Sequence, residues 1–186
     1  MIRFFAETVR GPWVLALVIV AYAFGFYALN VLPQWNILVD AQGGSEIQAR
    51  AFASPADVRA ALAQIEAAGA RHAALQFYAI DVPNFTLLGA AGAALVGFGL
   101  RRFGIEKSLA RFLIAVPLFA AFADAMETAS LAACLLITDV GFAENAAYAI
   151  TAKRIAAMAS LAVILLAPIG LVWWLIRLAF RPKAQG

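Results

Sequence analysis

The chain contains four apolar stretches, each long enough to cross a lipid bilayer as a helix. Such a helix needs about 20 predominantly apolar residues, because the hydrocarbon core is about 30 Å thick. Only 13% of the 186 residues are charged, against about 25% in a soluble domain, which excludes a water-soluble fold. We predict an all-α integral membrane protein, a four-transmembrane-helix bundle forming a single domain over residues 1–186, with spans at 13–32, 83–100, 112–137 and 155–176.

Basic residues flank these spans unevenly and predict the orientation of the chain. They precede the first span, separate the second from the third and follow the fourth, at Arg3, Arg10, Arg101, Arg102, Lys107, Arg111, Arg177, Arg181 and Lys183. Lys and Arg accumulate in cytoplasmic connections. We therefore expect both termini in the cytoplasm and residues 36–81 on the outer side. The Ala-rich composition suits a bacterial cytoplasmic (inner) membrane.

The outer segment, residues 36–81, contains one short amphipathic helix. Ser54 can cap its start, and Asp57 three residues later completes an acidic version of the capping box. Gly69 is placed to end it. Its apolar residues follow helical spacing on one face, at Val58, Leu62 and Ile65. We expect this helix to lie on the outer membrane surface or to cover the bundle, either as a lid, as a docking element for a partner, or simply as cover for the helix ends.

Asp124 and Glu127 stand inside the third apolar stretch. Ionisable residues at such positions are costly and face protein or water rather than lipid. Three residues apart, the two carboxylates lie on the same helical face. Counted from Arg111 at 1.5 Å per residue, they lie about 20 and 24 Å deep. We expect the pair to share a proton, a cation or a basic side chain.

Each span presents polar side chains at its outer end, whereas the inner halves are almost purely apolar. This asymmetry predicts an outward-facing acidic pocket. We expect Arg154 to reach toward Glu127 as its counter-charge, because a long cationic side chain can extend along apolar surface. The full set of predicted site residues is Tyr27, Asn30, Asp81, Asn84, Asp124, Glu127, Lys153 and Arg154.

Several functions fit such a pocket. It could bind an ion, a lipid headgroup or a small polar ligand, with coupling to transport left open. The acids could instead form an internal ion-pair network in a non-enzymatic accessory subunit of a larger membrane complex. A third class is a metal-dependent lipid-modifying enzyme, in which Asp81, Asp124 and Glu127 supply hard oxygen ligands. The sequence contains no recognised catalytic set and names no cofactor.

The lipid bilayer is the partner that the composition predicts. Gly89, Ala93 and Gly97 recur at four-residue spacing along the second span, and such a face lets a neighbouring helix approach closely. It serves either internal packing or contact with a protein partner, a second copy of the chain included. No nucleic-acid-binding motif is present, so nucleic acid is not an expected partner.

The middle third of the chain resembles a known group of sequences. The order Tyr78-Ala-Ile-Asp81-Val-Pro83, followed by Pro117-Leu-Phe-Ala-Ala-Phe-Ala-Asp124-Ala-Met-Glu127, is similar to uncharacterised four-span bacterial inner-membrane proteins. These have an Asp before the second span and D-x-x-E in the third. Thr128 stands where the group often has Asn. The resemblance implies the four-span topology and the importance of Asp81, Asp124 and Glu127.

Overall fold

The protein is all-helical in the residues that its computed structural model describes, which are 2, 4, 11–44, 46–50, 52–103, 107–137 and 141–179. Four helices are long and apolar enough to span a membrane. This confirms the predicted all-α, multi-pass membrane fold. In chain order the elements are α1 (Gly11–Asn30), α2 (Pro33–Ala41), a 3-10 turn (Ile47–Ala49), α3 (Pro55–Ala67), α4 (Arg71–Phe103), α5 (Lys107–Ile137) and α6 (Gly141–Ala179). Among the flanking basic residues of the orientation argument, those outside the described ranges are Arg3, Arg10, Arg181 and Lys183.

Two of the long helices begin well before the predicted spans. The predicted span 83–100 lies within α4, and the predicted span 155–176 lies within α6. The apolar part of α6 already includes residues 141–165, so Lys153 and Arg154 lie inside it and not at its edge. The prediction ended the span at these cations. They are tolerated inside the helix because both have partners there, as described below.

Helices α4, α5 and α6 pack against one another, whereas α1 rests mainly on α4. The buried residues of α1 are Val14, Ala21 and Ala28, which recur every seven residues and form one narrow seam. Most other positions of α1 face outward, with large apolar side chains such as Trp13 and Tyr22. In a membrane protein these outward apolar faces contact the lipid chains.

The small-residue face of α4 is used inside the protein. A Cβ atom added at Gly89 would lie 2.5 Å from the Cβ of Ala121 on α5, so the two helices touch there only because this residue is glycine. Ala93 and Gly97 on the same face are buried as well. The face therefore serves internal packing, which is one of the two uses that the sequence left open; contact with a protein partner or a second copy through it stays a prediction.

The segment between α1 and α4 folds over one end of the bundle, and we call α2, the 3-10 turn and α3 together the lid. The predicted helix start is confirmed: Ser54 and Asp57 form a reciprocal capping box. Gly69 ends α3 with a φ of 65°, a conformation that glycine adopts readily. The lid and the bundle share one apolar core, which includes Leu38, Ile47, Val58, Ile65, Tyr78, Leu131, Leu135 and Ile150.

A second apolar core fills the opposite end of the bundle, with Val14, Ala93, Val96, Leu100 and Ile114 among its members. Along α4, α5 and α6, the predicted site residues fall between these two cores: Asp81, Asn84, Asp124, Glu127, Lys153 and Arg154. The packing thus places them at one level, just beneath the lid.

Candidate functional site

Lys153 of α6 holds the two carboxylates of α5 together. Its Nζ lies 2.8 Å from Oε1 and 2.7 Å from Oε2 of Glu127, and 3.2 Å from Oδ1 of Asp124. Glu127 is completely buried, and the Asp124 side chain is 24% exposed. One ammonium reaches both acids because they lie one turn apart on the same helical face. The acid pair therefore shares a basic side chain, which is one of the three outcomes that the sequence predicted.

The prediction that Arg154 pairs with Glu127 is wrong. Its guanidinium donates hydrogen bonds to backbone carbonyls of the lid, at 3.3 Å to Gln48 and 3.0 Å to Arg50, and also to Ala49. In the described part of the chain it forms no ion pair with a carboxylate. Successive residues of an α-helix point about 100° apart, so one of two adjacent cations faces α5 and the other faces the lid.

Asp81 joins α4 to α5 at the same level. Its Oδ1 accepts a hydrogen bond from Asn84 at 3.1 Å, and its Oδ2 accepts one from the Thr128 hydroxyl at 3.2 Å. Asp81 is also close enough to Asp124 and Lys153 to interact with them electrostatically. The structure thus brings together the predicted residues of α4, α5 and α6. With Thr128 we call them the cluster, whose members are Asp81, Asn84, Asp124, Glu127, Thr128, Lys153 and Arg154. The sequence reasoning missed Thr128 as a member, although it had noted that residue as a departure from the motif.

The predicted residues of the first span do not join this cluster. Tyr27 is 48% exposed, and the exposed Asn30 donates to the carbonyl of Phe26 within its own helix. The reason is the rotation of α1, whose narrow buried seam points other residues toward α4. This part of the pocket prediction is wrong.

The lid contributes a buried acid that the sequence reasoning missed. Glu46 is 2% exposed, and its Oε2 accepts a hydrogen bond from the backbone N–H of Ala49. Burial raises the pKa of the Glu46 carboxyl to about 7, although the nearby Lys153 ammonium lowers it. Glu46 follows two glycines and a serine, a setting typical of a solvated loop. No local signal distinguishes it as a buried residue.

A cleft of about 380 Å³ lies between α4, α5 and α6. Asp124, Lys153 and Arg154 form its charged end. Apolar side chains form its walls, including Phe85, Leu88, Leu161 and Ile164. Leu88 and Leu161 are exposed on the bundle surface, so the cleft is open toward the bilayer.

The three acids proposed as metal ligands are not arranged as a metal site. Within the described ranges, no group of three or more His, Cys, Asp or Glu side chains could hold a metal ion. Asp81 is directed to Asn84 and Thr128, and the Lys153 ammonium lies between Asp124 and Glu127. The side chain of Lys153 thus fills the position that a metal bridging these two acids would take.

Comparisons with known proteins assign no family to this chain. No protein-family model matches it, and no curated protein or solved structure matches it either. The interpretation of the cluster therefore depends on its own geometry and chemistry. The resemblance to four-span bacterial inner-membrane proteins, with the roles that it implies for Asp81, Asp124 and Glu127, stays a prediction.

Proposed function

We propose that the protein binds a membrane lipid in the cleft between α4, α5 and α6. The lipid chain would lie along the apolar walls, and its headgroup would meet Asp124, Lys153 and Arg154. The observation that carries this proposal is the continuity of one cleft from charged side chains to apolar walls. A volume of about 380 Å³ falls within the range of small-molecule pockets, about 300–1,000 Å³.

The chemistry at the two ends supports a lipid over the other ligands that the sequence suggested. A free ion or small polar ligand would use the charged end and leave the apolar walls unused. A lipid uses both, and it reaches a cleft that is open to the bilayer without crossing water. Arg154 and Lys153 can donate to a headgroup phosphate or carbonyl, and Asp124 can accept from a hydroxyl or ammonium group.

The orientation of the chain belongs to this proposal. The basic flanks between α4 and α5 and at both ends of the chain favour cytoplasmic termini, and the Ala-rich composition favours a bacterial inner membrane. The lid is then outside, and the charged end of the cleft lies in the outer half of the bilayer. The headgroup would therefore belong to a lipid of the outer leaflet.

The experiment is to fill the cleft and to follow bound lipid. Ala157 lines the cleft, whereas Ala159 is exposed on the same helix outside it. Each would be changed to Phe, the proteins purified in mild detergent, and bound lipid counted by native mass spectrometry. We expect Ala157→Phe to lose the lipid and Ala159→Phe to keep it, with similar melting temperatures.

Equal lipid content in both variants would refute a lipid site in this cleft. If a second protein co-purified with both variants while no lipid did, the accessory-subunit function would replace the proposal. Photoactivatable lipid probes offer an independent check, because crosslinks to the cleft walls at Leu88 and Ile164 should be lost in Ala157→Phe and kept in Ala159→Phe. Crosslinks to the lipid-facing side of α1 should be the same in both variants.

A further inference from the structure

The cluster beneath the lid contains more carboxylates than cations that balance them. Glu46 and Glu127 are almost completely buried. Both interact with the single ammonium of Lys153, which also contacts Asp124. Arg154 makes its hydrogen bonds to backbone carbonyls of the lid. Neighbouring buried carboxylates that share one cation do not all stay ionised, because desolvation and mutual repulsion both favour a neutral form.

Besides Oδ1 of Asn84 and Oε2 of Glu127, three polar atoms near the lid, each on a side chain that is more than nine-tenths buried, have no hydrogen-bond partner in the described part of the chain. They are Oε1 of Glu46, the hydroxyl oxygen of Tyr78 and Nε2 of Gln48. Tyr78 is close enough to Glu46 and Glu127 to interact with both. Buried polar groups are nearly always satisfied, so the unpartnered Glu46 oxygen and the unpartnered Tyr78 hydroxyl, on side chains close enough to interact, indicate a site for a small species between the lid and the bundle.

We propose that Glu46 binds one exchangeable proton and that this proton holds the lid closed over the cluster. The groups facing Glu46 are Tyr78 from α4, Glu127 from α5, Lys153 from α6, and Gln42 and Gln48 of the lid. A protonated Glu46 is neutral and can stay buried beside Glu127. An ionised Glu46 places a third negative charge next to a cation that already serves Asp124 and Glu127, which favours opening.

The Glu46 carboxyl changes its protonation near neutral pH, and Arg154 links this site to the cleft. Burial raises the pKa of Glu46 to about 7, so its proton is released in the physiological range. Arg154 donates to the carbonyls of residues 48–50, two to four residues after Glu46, and also lines the charged end of the cleft. Loosening the lid at Glu46 would therefore free Arg154 at the cleft. The proton site itself does not depend on what the cleft binds.

The test combines infrared spectroscopy with hydrogen exchange on the full-length protein in phosphatidylcholine nanodiscs. With a pKa of about 7, the protonated fraction of Glu46 falls from about 90% at pH 6 to about 10% at pH 8. We expect a protonated-carboxyl band to disappear over this range. Exchange of the amides in residues 46–50, corrected for its intrinsic pH dependence, should rise in parallel. Glu46→Gln should abolish both changes, and the exposed control Glu66→Gln should keep them.

A pH-dependent opening that persists in Glu46→Gln would overturn the proposal. The proposal would also fail if, at fixed pH, hydrogen exchange in the lid differed between NaCl and choline chloride, because that difference would identify a bound Na⁺ instead of a proton. If Glu46→Gln does not fold, Tyr78→Phe provides the second variant. Removing the phenol oxygen should shift the midpoint of the carboxyl band, and an unchanged midpoint would place the proton away from this site.

Discussion

The ion pair of Lys153 gives the most quantitative prediction. Lys153→Met keeps most of the side-chain volume but removes the ammonium that lies 2.7–2.8 Å from the oxygens of Glu127. At an effective dielectric constant of 20, one ammonium and one carboxylate at this distance attract each other by about 6 kcal/mol, before the cost of desolvation is subtracted. Breaking a buried pair by removing one partner costs about 3–5 kcal/mol.

The loss of stability in Lys153→Met cannot exceed the cost of protonating Glu127 by much, and that cost depends on pH. Glu127 is completely buried, so without Lys153 the less costly state is its neutral form. Protonating an ordinary glutamate costs about 4 kcal/mol at pH 7 and about 1 kcal/mol at pH 5. We therefore expect Lys153→Met to lower the free energy of unfolding by about 3–4 kcal/mol at pH 7. The loss at pH 5 should be clearly smaller.

The assay is a double-mutant cycle in detergent micelles, read by denaturant unfolding at both pH values. Glu127→Gln alone should also destabilise, because it removes the buried ion-pair partner of Lys153 and leaves the partly exposed Asp124 in direct contact with it. The double variant should be milder than the sum of the two single variants. Lys153→Met combined with the exposed control Glu144→Gln should be additive. Additivity of Lys153→Met and Glu127→Gln, or an equal loss at pH 5 and pH 7, would refute the reasoning.

Three further predictions follow from the same structure. Gly89→Val should lower stability by about 1–3 kcal/mol through overpacking against α5, measured by thermal unfolding. The pKa of Glu46 rises on folding from 4.5 to about 7, so the native state binds more protons between these values and its stability falls with rising pH, by about 3 kcal/mol from this group. Glu46→Gln should remove that slope in unfolding experiments at pH 5 and pH 8. In a Cys134→Ala background, a cysteine at Gln64 should react with an impermeant thiol reagent from outside the cell and one at Ser108 only after lysis; the reverse would invert the orientation.

The membrane fold could be predicted because its determinants are local. About 20 apolar residues in a row can satisfy their backbone in a bilayer only as a helix, so four such runs require four helices whatever their packing. The start of α3 is equally local, since Ser54 and Asp57 form their hydrogen bonds within one turn. The shared face of Asp124 and Glu127 follows from helical geometry alone.

The partners of these groups depended on the tertiary structure. Lys153 and Arg154 are adjacent in sequence, and only the rotation of α6 against α5 and the lid decides that the first meets Glu127 and the second meets lid carbonyls. The rotation of α1 likewise turns Tyr27 away from the cluster. Glu46 is buried because the lid folds onto helices that lie far from it in sequence. Hydrophobicity and capping act within a helix, whereas burial and pairing of a charge depend on which helices meet, and at what rotation.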